Sequence, residues 1–162
     1  MVNNSGGPAP KDPLEVDSAD FLEGFQSQLF AFQELTKEAV RSMREKGEGR
    51  IINIVSVTAK VPLTHLCVSN ALRGAITNWA KTLSNKLASE NITVNNVLPG
   101  YTETERLMEL VQKASEKSGR SIEDHKDDLV KQIPMRRFGK PEEIADLVCF
   151  LASSHATYIP GA

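Results

Sequence analysis

Two short runs of β-branched residues, RIINIVS (Arg50 to Ser56) and ITVNNVL (Ile92 to Leu98), stand on either side of one long stretch of helical periodicity. Each run has the length of a strand and is nearly continuous in apolar residues, the pattern of a strand buried on both faces. Gly49 and a polar turn bound the first, while Asn91 precedes the second and Pro99-Gly100 ends it. Between them, from about Thr64 to Ser89, apolar residues recur at intervals of three and four. Strand, helix, strand is a βαβ unit, so the strands are expected to be parallel and the crossover right-handed. Few folds remain open: an α/β chain whose parallel sheet is covered by helices.

The flanking sequence continues the alternation. Ser5 to Val16 (SGGPAPKDPLEV) combines Gly with three Pro and reads as a surface loop. Asp17 and Ser18 then offer N-caps to a helix with the stripe Phe21, Phe25, Gln28, Phe32, Leu35, Ala39 and Met43, ended by EKGEGR. After Pro99-Gly100 the chain is strongly charged and amphipathic, and Gly119 and Ser121 divide it into two short helices. A last helix follows in FGKPEEIADLVCFLASS, with Pro141 in its first turn, Glu142 and Glu143 at its positive end, and Ile144, Leu147, Val148 and Leu151 on one face.

With 162 residues, 40% of them hydrophobic, residues 1–162 are expected to form one compact domain. Lys and Arg number 19 against 21 Asp and Glu, so no basic field argues for nucleic acid or an acidic membrane surface. No apolar run approaches the ~20 residues that span a bilayer. MVNNSGGPAP has neither the basic start nor the apolar core of a signal peptide, which makes the cytoplasm the default expectation. Cys67 and Cys149 lie in apolar helical runs, and Cys67 reads as a small core residue. His125 and His155 have no companions at metal-ligand spacing, so no metal is assigned.

Ligands of open parallel α/β sheets bind beyond the carboxyl ends of the strands. Ser56 ends the first strand and Pro99-Gly100 the second. The helical stripe Leu66, Ser69, Arg73, Ile76, Ala80, Leu83, Leu87 is interrupted by one hydroxyl and one guanidinium near its start, at the same edge. A buried guanidinium needs a partner. Ser56, Ser69, Arg73 and Gly100 to Thr104 are therefore expected to gather in one crevice.

Five segments, in order, resemble motifs of the short-chain dehydrogenase/reductase family. Asn3-Asn4-Ser5-Gly6 is similar to its N-N-A-G motif after the fourth strand, and DFLEGFQSQL to the D-W…N-L opening of the next helix. GRIINIVS resembles the strand bearing the catalytic Ser, here Ser56. ITVNNVLPGYTET resembles V-N-x-x-x-P-G-x-x-x-T, and RRFGKPEEIADLVCFLAS the R-x-G-x-P-E-E-I-A stretch. The resemblance implies an incomplete Rossmann-like parallel sheet with flanking helices, NAD or NADP as cofactor, and hydride transfer between nicotinamide and a small carbonyl or alcohol. It assigns Asn3, Arg73, Pro99, Gly100 and Thr104 to the cofactor: Thr104 to the carboxamide, Pro99 and Gly100 to the ring, Arg73 to ribose hydroxyls. It also implies a homodimer or homotetramer built on the two long helices, with neither nucleic acid nor membrane as partner.

Two departures accompany the resemblance. The family's glycine-rich pyrophosphate turn is not in this chain, Met1 falls where the fourth strand would end, and a final strand would follow Gly161. The match is to the carboxyl-terminal two-thirds of a family member, as a fragment, an incomplete sequence or a naturally short product, and weak or no dinucleotide affinity is expected of it. The second departure concerns the family's Y-x-x-x-K: counting thirteen residues on from Ser56 gives Ser69, and the Lys position is Arg73. AKTLS at Ala80 to Ser84 supports that register, and Gln28 stands where the family has an Asn.

A serine hydroxyl is a far weaker acid than a phenol, whose pKa is about 10, whereas Arg73 could stabilise a developing alkoxide. An acid then has to come from elsewhere. Tyr101 is one candidate, with an ordinary loop aromatic as the plainer reading. His65, four residues before Ser69, is another, with a solvated or capping residue as the plainer reading. Of Asn95 and Asn96, one is expected to tie backbone together at the sheet edge, and Gln28 to serve as a structural hydrogen-bonding residue. The leading reading is an oxidoreductase with catalytic Ser56, Ser69, Arg73 and Tyr101 and with residues 104–133 as a substrate cover. The alternative is a non-catalytic binding or assembly protein that keeps the fold; a serine hydrolase is disfavoured because Ser56 lacks a G-x-S-x-G setting.

Overall fold

Three parallel strands in the order β1-β2-β3 make up the sheet: β1 (Val2–Asn3), β2 (Gly49–Ile54) and β3 (Ile92–Val97), in a computed structural model that describes residues 1–162. Register is continuous across all three, with Asn3 opposite Asn53 and Asn53 opposite Asn96. The parallel β2–β3 pair and the helix between them, α3 (Cys67–Leu87), form the expected crossover. The chain divides into two compact units, Met1–Leu98 with Val148–Ala162, and Pro99–Leu147.

In the first unit, Asp17 caps α1 (Ser18–Phe25) through a capping box with Asp20, as its position before the apolar stripe predicts. A π-helical turn, Gln26–Phe30, separates α1 from α2 (Ala31–Lys46), and Gly47 stops α2 in the left-handed conformation. The predicted stripe holds at Gln28 and Phe32 but then shifts. Thr36 and Val40 are buried, while Leu35 is 59% exposed. Val40, Ile51, Ala80, Leu87, Ile92 and Val94 form one apolar cluster; Phe32, Val55, Leu72 and Ile76 form a second. Both clusters draw on α2 and α3, so those helices cover the sheet face that carries Ile51, Asn53 and Val55.

The opposite sheet face bears Asn95, whose amide donates to the Ile159 carbonyl (2.7 Å) and whose oxygen accepts from Ala162 N–H (2.9 Å). Asn95 is thus the residue that ties backbone together at the edge of β3, and Gly161 N–H donates to the Val94 carbonyl beside it. Gly161 has φ +82°, and a Cβ there would lie 2.8 Å from Lys81 Nζ and Ser84 Oγ, so this approach to α3 requires glycine.

The second unit contains α4 (Glu105–Ser118) and α5 (Ile122–Gln132), divided at Gly119 (φ +72°) and Ser121 as expected. Thr104 and Ser121 cap them, each accepting a backbone N–H three residues on. A short parallel bridge joins Thr102 to Gly139. Pro141 opens the last helix, α6 (Pro141–Ala152), in which Leu151 is buried but Leu147 is 44% exposed rather than on the covered face. No helix is long and apolar enough to cross a membrane.

Candidate active site

Ser56 follows the carboxyl end of β2. Val55 N–H still donates to the Val97 carbonyl (2.8 Å), after which the backbone at Ser56 stays extended and the chain turns through Val57–Ala59. Ser56 is half-buried, and its Oγ accepts from both the N–H (3.2 Å) and the hydroxyl (3.0 Å) of Thr58. Thr58 escaped the sequence reading, although Ser-x-Thr at a strand end is a known local signal for such back-bonding.

Arg73 comes to the same strand end from α3. It is only 6% exposed, and its Nη1 donates to the carbonyl of Ile54, two residues before Ser56 (3.2 Å). The buried guanidinium on the apolar stripe therefore has the partner that its position demanded, a strand carbonyl. Ser69, half-buried, lies one helical turn before Arg73 on the same side of α3. Ser56 and Arg73 thus come to one strand end, as expected, with Ser69 on the flanking turn of α3.

Helix α3 starts at Cys67, three residues later than expected, which corrects two readings. Asn70 captures Leu63, its amide donating to the carbonyl (2.8 Å) and its oxygen accepting from the N–H (3.4 Å), and the His65 carbonyl accepts from Lys11 N–H (3.1 Å). His65 consequently sits in an exposed turn before the helix and not on its face, which is the solvated position of its plainer reading. Cys67 is half-buried rather than a core residue, and Cys149 is exposed. Cys67 helps line a surface depression of ≈ 440 Å³ with Pro13, Pro62, Leu63, Asn70 and Ala71. That depression is centred on another side of α3 from Ser69 and Arg73, because Cys67 and Ala71 project more than a quarter-turn from both.

Asn3, which the resemblance assigns to the cofactor, has a structural task in the sheet. It is 3% exposed, and its amide donates to Asn53 Oδ1 (2.8 Å), whose own amide donates to Asn96 Oδ1 (3.0 Å). This ladder of three carboxamides crosses all three strands beneath α2 and α3 and fixes their ends in register. Gln28 is also structural, as expected: fully buried in the π turn, it donates to the Gly6 carbonyl (2.7 Å) and pins the loop after β1.

The remaining expected site residues belong to the second unit. Pro99 is half-buried and Gly100 exposed. Tyr101 is half-buried, and its carbonyl accepts from Gly139 N–H (3.0 Å). Thr104 is exposed, and its hydroxyl accepts from Leu107 N–H (3.3 Å). A hydroxyl engaged as acceptor keeps its proton to give, the polarity that a carboxamide oxygen requires. In the same unit, paired hydrogen bonds from Arg137 (2.6 and 2.7 Å) and the Lys140 N–H hold the Glu143 carboxyl at a pKa of about 2.

A model of the family described as enoyl-(acyl carrier protein) reductase matches residues 1–162, the whole chain. The chain belongs to the short-chain dehydrogenase/reductase family. This short-chain dehydrogenase/reductase is 34% identical to the NADPH-dependent reductase BacG of Bacillus subtilis over 161 residues, 99% of the chain and 62% of the relative. It is also 34% identical to the 3-oxoacyl-[acyl-carrier-protein] reductase FabG of Buchnera aphidicola, again over 99% of the chain and 62% of the relative. The crystal structure of YwfH, an NADPH-dependent reductase involved in bacilysin biosynthesis, superposes with a TM-score of 0.93 at 34% identity, over 99% of this chain and 61% of that one. An actinorhodin polyketide ketoreductase with NADPH gives a TM-score of 0.92 at 29% identity, over 99% and 62%. The fold is Rossmann-like, and the chain spans about three-fifths of the length of the curated relatives it matches, 62% for each of these two.

Proposed function

We propose that the protein is an oxidoreductase that moves hydride between a nicotinamide cofactor, NAD or NADP, and a carbonyl or alcohol carbon of a small molecule. The observation that carries this reading is that Ser56, and Arg73 through its bond to the Ile54 carbonyl, both lie at the carboxyl end of β2. A carbonyl oxygen becomes negative as hydride reaches its carbon, and donors already fixed in place stabilise that charge best. Ser56 gives one hydrogen bond; Arg73, cationic at any working pH, supplies charge; Ser69 offers a second hydroxyl. Tyr101 is the proton source in this reading. Thr104 holds the nicotinamide carboxamide, Pro99 and Gly100 line the ring, and residues 104–133 cover the substrate. The bound cofactor supplies the hydride. The printed names of the relatives, NADPH-dependent reductase and polyketide ketoreductase with NADPH, support carbonyl reduction as the direction.

Self-association belongs to the same reading. Leu22, Phe30 and Leu35 are 57%, 51% and 59% exposed along α1, the π turn and α2, an apolar surface suited to a homodimer or homotetramer.

The test offers the protein NADPH, or reduced nicotinamide mononucleotide, which lacks the adenosine half, together with a panel of ketones and aldehydes. Carbonyl-dependent consumption of the reduced nicotinamide is expected. Restoring the phenol and amine with Ser69→Tyr and Arg73→Lys should raise it about a hundredfold, the scale of a well-placed general acid. No consumption with either donor, in the parent or this variant, would favour the non-catalytic binding or assembly protein instead.

A further inference from the structure

Thr58 has no part in the chemistry above, yet both of its hydrogen-bond donors converge on Ser56. Its N–H lies 3.2 Å and its hydroxyl 3.0 Å from Ser56 Oγ, and the residue is only 6% exposed. The cause is local. Ser56, extended at φ −175° and ψ 152°, caps the single turn Val57–Ala59, which folds Thr58 back over the hydroxyl. A serine hydroxyl has one proton to give and two lone pairs to receive with. When Thr58 donates to both lone pairs, the only capacity left to Ser56 is its own proton, and Ser56 is half-buried rather than sealed, so a ligand can meet it.

We propose that Thr58 is a positioning residue that fixes Ser56 as a hydrogen-bond donor, matching the site to a substrate oxygen that accepts: the carbonyl of a ketone or aldehyde, and the alkoxide formed from it. This rests on the reductase reading and narrows it. The donor is aimed before the substrate arrives, which is the condition under which a hydrogen bond is strongest for a developing oxyanion. The sheet end that carries Ser56 is itself held by the Asn3–Asn53–Asn96 ladder and by the Arg73 bond to Ile54, so Thr58 sets the last free torsion of an otherwise fixed group.

The test compares Thr58→Val, which removes the hydroxyl, with Thr58→Ser, which keeps it, on both the Ser56 and the Ser56→Ala backgrounds. The first readout needs no activity: the Ser56 rotamer from its Hα–Hβ couplings. One rotamer is expected in the parent and in Thr58→Ser, and averaging in Thr58→Val; a single unchanged rotamer in Thr58→Val overturns the proposal. If Thr58→Val does not fold, averaging in Thr58→Ser overturns it as well. The second readout is kcat for carbonyl reduction. Thr58→Val should lower it about tenfold, one oriented hydrogen bond, with Thr58→Ser restoring it and with less than about twofold effect once Ser56 is Ala. Equal losses on the two backgrounds would mean that Thr58 acts on the fold and not through Ser56. If the parent itself consumes no cofactor, the reductase reading falls, while the rotamer comparison still decides the role of Thr58.

Discussion

The unit that carries Ser56 and Arg73 buries Ile51, Leu72, Ile76, Ile92 and Val94 completely, whereas the unit that carries Tyr101 and Thr104 buries only Leu107 and Val111. The first is held by apolar clusters, cross-strand carboxamides and tertiary side-chain bonds to backbone. The second relies on helix caps and exposed pairs: Thr104 and Ser121 at helix starts, Arg120 with Asp128, Arg137 with Glu143. Exposed pairs of this kind contribute little to global stability. The contrast teaches a division of labour. The groups proposed to meet a developing charge sit on the well-packed unit, and the segment proposed to cover a substrate sits on the one with low-stability elements, from which moving parts are drawn.

That comparison breaks first at Ile76, which is fully buried against Phe32, Val55 and Leu72. Ile76→Ala should cost about 2–5 kcal/mol in urea unfolding, and a loss below ~1 kcal/mol would mean that this cluster is not the core. Asn53→Ala removes the middle rung of the ladder and leaves the Asn3 amide without its acceptor and the Asn96 side-chain oxygen without its donor. A cost of about 2–3 kcal/mol is expected, the scale of buried polar groups left unpaired. Amide exchange should quicken at the carboxyl ends of β1, β2 and β3; unchanged exchange there would reduce the ladder to an incidental contact.

The second unit should respond more weakly. Ser121→Ala deletes the cap of α5 and should cost about 1 kcal/mol locally, seen as faster amide exchange confined to α5 while the β2 amides keep their protection. Loss of protection in β2 as well would show that the two units unfold as one. The smallest expected effect is on pH. Because Arg137, and next the Lys140 N–H, depress the Glu143 pKa to about 2, its stabilising contribution is complete above the ordinary carboxylate value of 4.5 and is lost as pH falls from there toward 2. A carboxyl titration by NMR should find the midpoint near about 2 and move it up toward 4.5 in Arg137→Gln; a midpoint near 4.5 in the parent would show that the ion pair does not persist in solution.

Periodicity made the βαβ frame legible because strand and helix patterns are local: Arg50 to Ser56 became Gly49–Ile54, and Thr64 to Ser89 became Cys67–Leu87. The Asp17 cap was legible for the same reason, since it lies beside the groups it bonds, whereas Ser121 was read as a break and is also the cap of α5. What escaped was set by distance or by competition. The Asn3–Asn53–Asn96 ladder joins residues 50 and 43 positions apart, and only strand register aligns them. His65 left the helix because Asn70 captured Leu63. Leu35 turned outward while Thr36 and Val40 were buried, a choice made by tertiary packing on the sheet and not by the spacing of apolar residues. At the site, the fold argument was enough to bring Ser56 and Arg73 to one strand end, but the bonding of Thr58 to Ser56 was missed, because Ser-x-Thr permits this turn without requiring it.

The central claim is that Ser56 at the end of β2 donates to a carbonyl oxygen during hydride transfer. Its most direct test is the rate of carbonyl-dependent oxidation of reduced nicotinamide by the parent and by Ser56→Ala, with folding of both confirmed by thermal melting. The account predicts a loss of about a hundredfold in kcat on removing this preorganised donor. An unchanged rate in a folded Ser56→Ala protein would contradict it.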